Sequence, residues 1–507
     1  MKRLLTYAMP AALLVAGALG ALGFAPTSAW PLLLAALALL FFSADCARTS
    51  RTAFVLAWCW GLGFFAVGLS WTHRSMAFYG GLGDALAALG VLALAAVCAL
   101  VPASAMAASR AVRCSGSLRL ALVIPAVWAL SEMIRGVLLG FGWLSVGYAL
   151  GNTTLAAWAP VVGVYGVGFA AALGVGIVLA LVRGAKEGRP VGRAALAVAL
   201  GALAVASATL SDVRWSAPAG RIDVRLVQPD LPVALRTRLS EVQKRVDRVE
   251  AMSTRTASGA GPELIVWPEG VWPQPLTRLP AAMALTPRKV ADTMDATVLF
   301  NAFHESGRRE FMNSLWRADA RSAVFAPVYS KRHLVPFGEY VPAGFRWFVN
   351  ALGIPMSDQT PGEASPELLS VANVRFAPGI CYENMFPEEV RAWWEKGEPQ
   401  VLLNMANLGW FAERAADQFT QMSAMRARET ARPMLQVVNN SHTAVIAPTG
   451  QFERLAGRGA EVVDARVRLF AGAPTPFVRF GHWPLVVLCL MLPAAVLACG
   501  RRRARLE

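Results

Sequence analysis

Charge is scarce in this chain. Of its 507 residues only 16% are Asp, Glu, Lys or Arg, against 55% hydrophobic, and the mean hydropathy is +0.45. That balance excludes a single soluble globule. Cysteine is sparse where it would matter. Of seven, Cys46, Cys59, Cys98, Cys114, Cys489 and Cys499 lie in or beside very apolar segments, and Cys381 alone falls in the long polar stretch 212–476. With no pairing partner in that stretch, a disulfide-stapled domain is not expected. The five histidines (His73, His304, His333, His442, His482) are scattered without ligand spacing, so no metal site is expected. No phosphate-cradling glycine loop precedes a helix, and no cofactor is expected. Internal repeats and low-complexity tracts are lacking too.

What is abundant is apolar sequence, and it is concentrated. Runs fall near 4–24, 29–43, 53–71, 85–108, 118–140, 157–182, 192–211 and 482–499. Each approaches the length that crosses about 30 Å of hydrocarbon, except 29–43, which is short. Lys2 and Arg3 before the first run imitate a signal peptide, but further apolar runs follow at once, which marks a retained helix. The expected organisation is seven transmembrane helices in 1–211, a polar domain in 212–476, and an eighth helix with a basic tail in 477–507.

The net charge of +15 suggests nucleic acid only until it is mapped. The polar stretch holds 30 Lys+Arg against 28 Asp+Glu and contributes +2, leaving +13 for the short loops and the tail Arg501-Arg502-Arg503-Ala504-Arg505. That is a membrane-topology pattern, and no nucleic acid partner is expected. Positive charge gathers at the N-terminus, at Arg48 and Arg51, at Arg110, Arg113 and Arg119, at Arg183, Lys186, Arg189 and Arg193, and in the tail. The alternate short loops and the helix ends beside them carry only Arg74 and Arg135. Both termini are therefore expected to be cytoplasmic and the polar domain to face the opposite side, the periplasm in a bacterial inner membrane. Within the spans, Glu132 and Arg135 sit three apart on one helix face, suited to pair locally. The aromatic, glycine-rich loop 140–148 reads as an interfacial belt, with a substrate contact as the alternative.

The polar stretch alternates. Strands are expected at 222–228, 263–267, 297–303, 312–318, 323–329, 372–377, 400–404, 434–438 and 442–447, and helices near 235–256, 278–293, 386–396 and 413–431. Interleaved in this way they predict an α/β sandwich. Three strand-end motifs carry the chemistry. Leu264-Ile265-Val266-Trp267-Pro268-Glu269 ends an apolar strand in a carboxylate, and Tyr329-Ser330-Lys331 ends another in a cation. The third, Val371–Met385, is expected to be a strand that Pro378-Gly379 bends, exposing Cys381 at the turn with Glu383 two residues on. A thiol nucleophile needs a base for its proton and a cation or donors for the oxyanion. Cys381, Glu269 and Lys331 fit those roles in turn. Each also has a plain reading: buried filler for Cys381, a solvated turn for Glu269, a basic surface pair with Arg332 for Lys331, surface charges for Glu339 and Glu383.

Taken together the motifs match a family. The polar domain resembles the nitrilase superfamily, and the whole chain resembles apolipoprotein N-acyltransferases. The matching stretches include Gly23-Phe24-Ala25-Pro26, Gly142-Trp143-Leu144-Ser145-Val146-Gly147-Tyr148, Trp267-Pro268-Glu269, Leu334-Val335-Pro336-Phe337-Gly338-Glu339-Tyr340-Val341-Pro342 and Ile380-Cys381-Tyr382-Glu383. The resemblance implies a polytopic helical membrane domain bearing an extracytoplasmic αββα nitrilase-like sandwich. It implies that Cys381 takes the sn-1 acyl chain of a phospholipid, phosphatidylethanolamine by family habit, as a thioester. Glu269 would be the base, and Lys331 with nearby backbone N–H groups would hold the oxyanion. The chain would then pass to the N-terminal amine of a diacylglyceryl-cysteine apolipoprotein. Glu339, Tyr382 and Glu383 match supporting residues, and a monomer is expected. Departures stand at Ala406 and Leu408, where family members show a hydroxyl residue and Asp, and at Thr237, where many carry Trp. Two other readings remain: a membrane-tethered amidase using the same three residues, and a non-catalytic lipid-binding paralogue.

Overall fold

The computed structural model describes residues 2–186, 190–233, 238–256, 261–306, 310–322, 325–352, 358–363 and 367–506. They form two compact units. The first comprises Met1–His73, Gly83–Arg214 and Thr475–Glu507; the second comprises Trp215–Pro474 together with Arg74–Leu82.

The first unit is helical. Its elements are α1 (Lys2–Gly20), α2 (Trp30–Cys46), α3 (Ser50–Gly68), α4 (Gly83–Ala111), α5 (Gly116–Leu138), α6 (Ala159–Lys186) and α7 (Pro190–Ser211), with a last helix at Trp483–Leu506. Among the described residues five helices are long and apolar enough to cross a membrane; Ala8–Gly23, Trp30–Cys46 and Trp483–Cys499 are shorter apolar helices. Small residues let the helices approach: Ala53, Ala57 and Gly61 of α3 are buried, and Ala95, Ala99 and Ala103 of α4 are too. Asp45, at the end of α2, is buried and accepts from both Arg119 and Arg183.

Two expectations for this unit are corrected. Glu132 and Arg135 turn to the loop that follows them instead of forming a local pair. Glu132 Oε1 accepts the Val146 N–H at 2.7 Å, while Arg135 donates to the carbonyls of Phe141 (2.7 Å) and Trp143 and to Ser145 Oγ (3.3 Å). Backbone groups buried in that loop need partners, and these two side chains supply them. The loop is accordingly no exposed aromatic belt. Trp143, Val146 and Tyr148 are buried, and Trp143 packs on Trp71 with ring centroids 4.6 Å apart.

The second unit contains twelve described strands in two six-stranded sheets. The first sheet uses β1 (Ala217–Gln228), β2 (Leu264–Val266), β3 (Thr297–Ser306), β4 (Glu310–Ala318) and β5 (Ala326–Ser330). The second uses β6 (Leu369–Val371), β7 (Val374–Ile380), β8 (Val401–Ala406), β9 (Met434–Val438), β10 (Ala444–Ile446) and β11 (Phe452–Leu455). The long β12 (Glu461–Ala471) returns to the first sheet, giving the orders β12-β1-β2-β3-β4-β5 and β11-β10-β9-β8-β7-β6. Each sheet has a parallel centre, β1-β2-β3 and β7-β8-β9, flanked by antiparallel strands. β8 is buried at every residue, as a central parallel strand requires.

Helices cover the sheets. α8 (Leu239–Ser253) and α9 (Thr286–Met294) lay Val242, Val246, Val249 and Val290 on Ile265, Trp267, Val298 and Phe300 of the first sheet. α10 (Glu413–Thr430) lies against β9 of the second, with Phe419 and Met422 buried. β1 in turn packs against β9, so the sheets face each other and the unit is an αββα sandwich.

The expected bend at Pro378-Gly379 is absent. Both residues lie inside β7, opposite Leu403 and Asn404 of β8. A parallel ladder bonds through every second residue, so a proline at a non-donating position is tolerated. The chain turns one step later, at Cys381 itself.

Candidate active site

Three strand ends meet in the second unit. β2 runs out through Trp267-Pro268 to Glu269, and Gly270 follows with φ +85. A Cβ at Gly270 would stand 2.5 Å from Asn407 Nδ2, so only glycine satisfies both the turn and the close approach. β5 ends at Ser330, and the Lys331 N–H bonds the Asn313 carbonyl of β4 at 2.8 Å. β7 ends at Ile380, and Cys381 adopts a left-handed φ of 51° before a short 3₁₀ turn, Cys381–Met385. A non-glycine residue held there costs about 1–3 kcal/mol, so its surroundings must impose it.

Glu383 imposes much of it. Its Oε2 accepts the Ile380 N–H at 2.7 Å, while Oε1 accepts the Tyr329 hydroxyl at 2.6 Å and the N–H groups of Arg332 (2.7 Å) and His333 (3.2 Å). One buried carboxylate thus ties the cysteine turn to the segment that carries Lys331. Asn404 Nδ2 adds a bond to the Cys381 carbonyl at 3.3 Å. Tyr382 lies against Phe386 and His333 at ring-centroid separations of 5.3 and 6.4 Å.

At the centre, Lys331 is fully buried and its Nζ stands 2.7 Å from Glu339 Oε1 and 3.9 Å from Glu269 Oε1. Glu339 Oε2 accepts the Val335 N–H at 2.8 Å, which curls the 335–339 loop around the lysine. Glu269 is held at both oxygens: Asn313 Nδ2 donates to Oε1 at 2.7 Å and the Asn407 N–H to Oε2 at 2.9 Å. Its charge acts on the neighbouring Cys381 thiol. The structure therefore brings Glu269, Lys331, Glu339, Cys381 and Glu383 into one connected cluster, with Tyr382 beside it. Cys381 is 7% exposed, so the exposure expected of it at the turn is corrected: the residue is buried.

Electrostatics follow from burial. Desolvation pushes the Glu269 carboxyl above its ordinary value, opposed by Lys331 and reinforced by Glu339. Burial and the neighbouring Glu269 push the Cys381 thiol well up, opposed by Lys331. For Lys331, burial works to lower the ammonium pKa, but Glu339, Glu269 and Cys381 outweigh it and hold the group charged. The arrangement sets a thiol whose ionisation burial opposes beside a carboxyl group able to take its proton, with a buried ammonium at hand to stabilise negative charge.

Sequence reasoning missed the asparagines. Asn301 Nδ2 bonds Asn313 Oδ1 at 2.5 Å, Asn313 bonds Glu269, and Asn407 accepts from Asn439 Nδ2 at 3.3 Å. The available signal was an amide in the middle of strands that otherwise disfavour Asn, at Asn301 and Asn313. Of the departures, Ala406 and Leu408 are buried on either side of Asn407, whose contact with Glu269 is made by backbone. Thr237 lies outside the described residues. Among the described residues no three His, Cys, Asp or Glu side chains are grouped to hold a metal ion.

Residues 16–177 match the profile of the apolipoprotein N-acyltransferase N-terminal domain, and residues 223–475 match that of carbon-nitrogen hydrolases. An apolipoprotein N-acyltransferase of Ralstonia nicotianae is 36% identical over 98% of this chain and 94% of its own. Another, of Bordetella bronchiseptica, is 37% identical over 97% of each. The chain belongs to the apolipoprotein N-acyltransferase family. It is an acyltransferase with a membrane-helix unit and a nitrilase-type unit. Among solved structures, an amidase of Nesterenkonia sp. AN1 is 18% identical, covering 52% of this chain and 98% of its own with a TM-score of 0.38.

Proposed function

We propose that this apolipoprotein N-acyltransferase family member moves the sn-1 acyl chain of a phospholipid, phosphatidylethanolamine in the first instance, to the N-terminal amine of diacylglyceryl-cysteine lipoproteins. Glu269 takes the Cys381 proton as Sγ attacks the ester carbonyl. Lys331 stabilises the tetrahedral oxyanion. The C–O bond breaks, Glu269 returns the proton to the departing lysophospholipid oxygen, and a thioester remains. The lipoprotein amine then attacks the thioester and gives its proton to Glu269. The C–S bond breaks, and the thiolate recovers that proton. Two half-reactions through one covalent intermediate give ping-pong kinetics. Glu339 and Glu383 act on the lysine and on the cysteine turn.

The observation that carries this reading is the convergence of a thiol, a carboxylate and a buried ammonium from three strand ends, in a chain with membrane-length apolar helices. The basic loops support cytoplasmic termini and a periplasmic polar domain spanning roughly 212–476, between the seventh helix and the last. Lipid substrates suit that placement, since their chains need not leave the bilayer. Phe345 is 47% exposed and Trp347 70% exposed at the start of a short helix, Arg346–Leu352, with Phe337 stacked edge-on to Phe345. This supports reading the apolar stretch 345–356, of which 353–356 lie outside the described residues, as an arm that dips into the interface.

Acyl-enzyme trapping tests the reading. Incubation with phosphatidylethanolamine labelled in the sn-1 chain, without acceptor, should leave label on the protein. Neutral hydroxylamine should release it, and Cys381→Ala should abolish it. Absence of label on folded protein would sink the thioester, and steady release of labelled fatty acid would instead mark a hydrolase.

A further inference from the structure

Residues 74–82 follow α3 and precede α4 in the chain, yet they group with the second unit. Within them Ser75–Tyr79 forms a single wide helical turn. Two of its side chains reach one short segment more than 300 residues away. Ser75 Oγ donates to the Trp410 carbonyl at 2.9 Å, and the Tyr79 hydroxyl donates to the Gly409 carbonyl at 2.9 Å. The Tyr79 and Trp410 rings also meet edge to face at 5.0 Å.

That segment is the 3₁₀ turn Leu408–Trp410, capped by Asn407, whose Oδ1 accepts the Gly409 N–H at 3.3 Å. Asn407 in turn gives its own N–H to Glu269 Oε2. The far side of the turn is tight, since a Cβ at Gly409 would stand 2.3 Å from Asn440 Nδ2 and 2.6 Å from Val233 Cγ2. The turn thus leaves no room for a side chain at Gly409 beside Asn440 and Val233, and two hydroxyls hold its carbonyls. Asn407 joins the end of β8 to this turn, so the turn's position bears on the Asn407 N–H.

We propose that Ser75 and Tyr79 are positioning residues for the reaction, fixing the 408–410 turn so that the Asn407 N–H stays on Glu269. Only the role of Glu269 as base rests on the acyl-transfer reading. The N–H favours the ionised carboxyl, against the burial that disfavours it. Loosening it raises the pH at which Glu269 can accept the thiol proton.

The test uses full-length protein in detergent and iodoacetamide as the probe, with alkylation of the Cys381 peptide followed by mass spectrometry across pH. Tyr79→Phe keeps the ring and removes one oxygen. It should slow alkylation near neutral pH by about three- to tenfold, the worth of one hydrogen bond, and move the acid limb upward. Ser75→Ala should act in the same direction, and the double variant further. A double variant that melts like wild type, with rate and limb unchanged, overturns the proposal. If the double variant does not fold, Tyr79→Phe decides alone. A lower yield of folded protein with an unmoved limb also overturns it, because a merely structural tie predicts that. If the variants show the shift while the wild type forms no acyl-enzyme, the acyl-transfer reading falls and this inference stands.

Discussion

Glu383→Gln is a change of one atom that isolates how the cysteine turn is held. The wild-type carboxylate accepts four hydrogen bonds, one at Oε2 from Ile380 N–H and three at Oε1. A carboxamide has one accepting oxygen. If that oxygen serves Tyr329, Arg332 and His333, the new NH₂ faces the Ile380 N–H, donor against donor. If it serves Ile380, three donors lose their acceptor. The first arrangement is the milder, and it leaves one buried donor unsatisfied, a penalty of about 1–3 kcal/mol. The loss falls on the residue before Cys381, whose left-handed backbone depends on it. If the penalty is felt in the transition state, acyl-enzyme formation slows by about 5- to 150-fold at 1.36 kcal/mol per factor of ten. The assay is single-turnover labelling of Cys381 by sn-1-labelled phospholipid, with thermal melting alongside to count folded protein. A folded variant that acylates within twofold of wild type would refute the claim that Glu383 sets the nucleophile's geometry.

Further outcomes follow from the same contacts. As the proposed base Glu269 must be ionised, and burial raises its carboxyl, so acyl-enzyme formation should be lost as pH falls through a value above the ordinary glutamate of about 4.3; a limb at or below that value would contradict the environment described. Asn313→Ala removes the donor at Oε1 and should move that limb higher with little change in KM for phospholipid. Lys331→Met leaves two carboxylates without their buried partner, so acylation should fall by about 10²–10³-fold and the melting temperature should drop as well; full stability in that variant would mean the pair is already neutral. Gly270→Ala meets both a φ of +85 and Asn407 Nδ2 at 2.5 Å, and should lose activity and stability together.

The parts of this protein that were legible in its sequence are those whose signal is local. Apolar runs are read from composition alone, and the three catalytic candidates from reactive residue types at the ends of apolar strands. Elements that depend on distant partners were not legible. β12 carries Asp464, Arg466 and Arg468 among its apolar residues and looks like a polar return segment. It becomes a strand because it pairs with β1, and because Arg466 meets Asp223 while Arg225 is buried on Asp464, some 240 residues apart in the chain. β11 was missed for the same reason, being exposed at every residue and paired along β10 at the sheet edge. Pro378-Gly379 misled in the opposite direction, since a local breaker was overridden by pairing with β8. The site shows the same division more sharply. Thiol, carboxylate and ammonium are residue types that announce chemistry. Around the carboxylate stands a set of neutral groups: Asn313 on one oxygen, a backbone N–H on the other, and a turn fastened by Ser75 and Tyr79. Those groups carry no charge pattern or spacing to read, because their roles exist only once the strands are side by side. This also explains why Ala406 and Leu408 are compatible with an intact site. The contact between them that reaches Glu269 is made by the chain itself, so a change of neighbouring side chain leaves it in place as long as the turn holds.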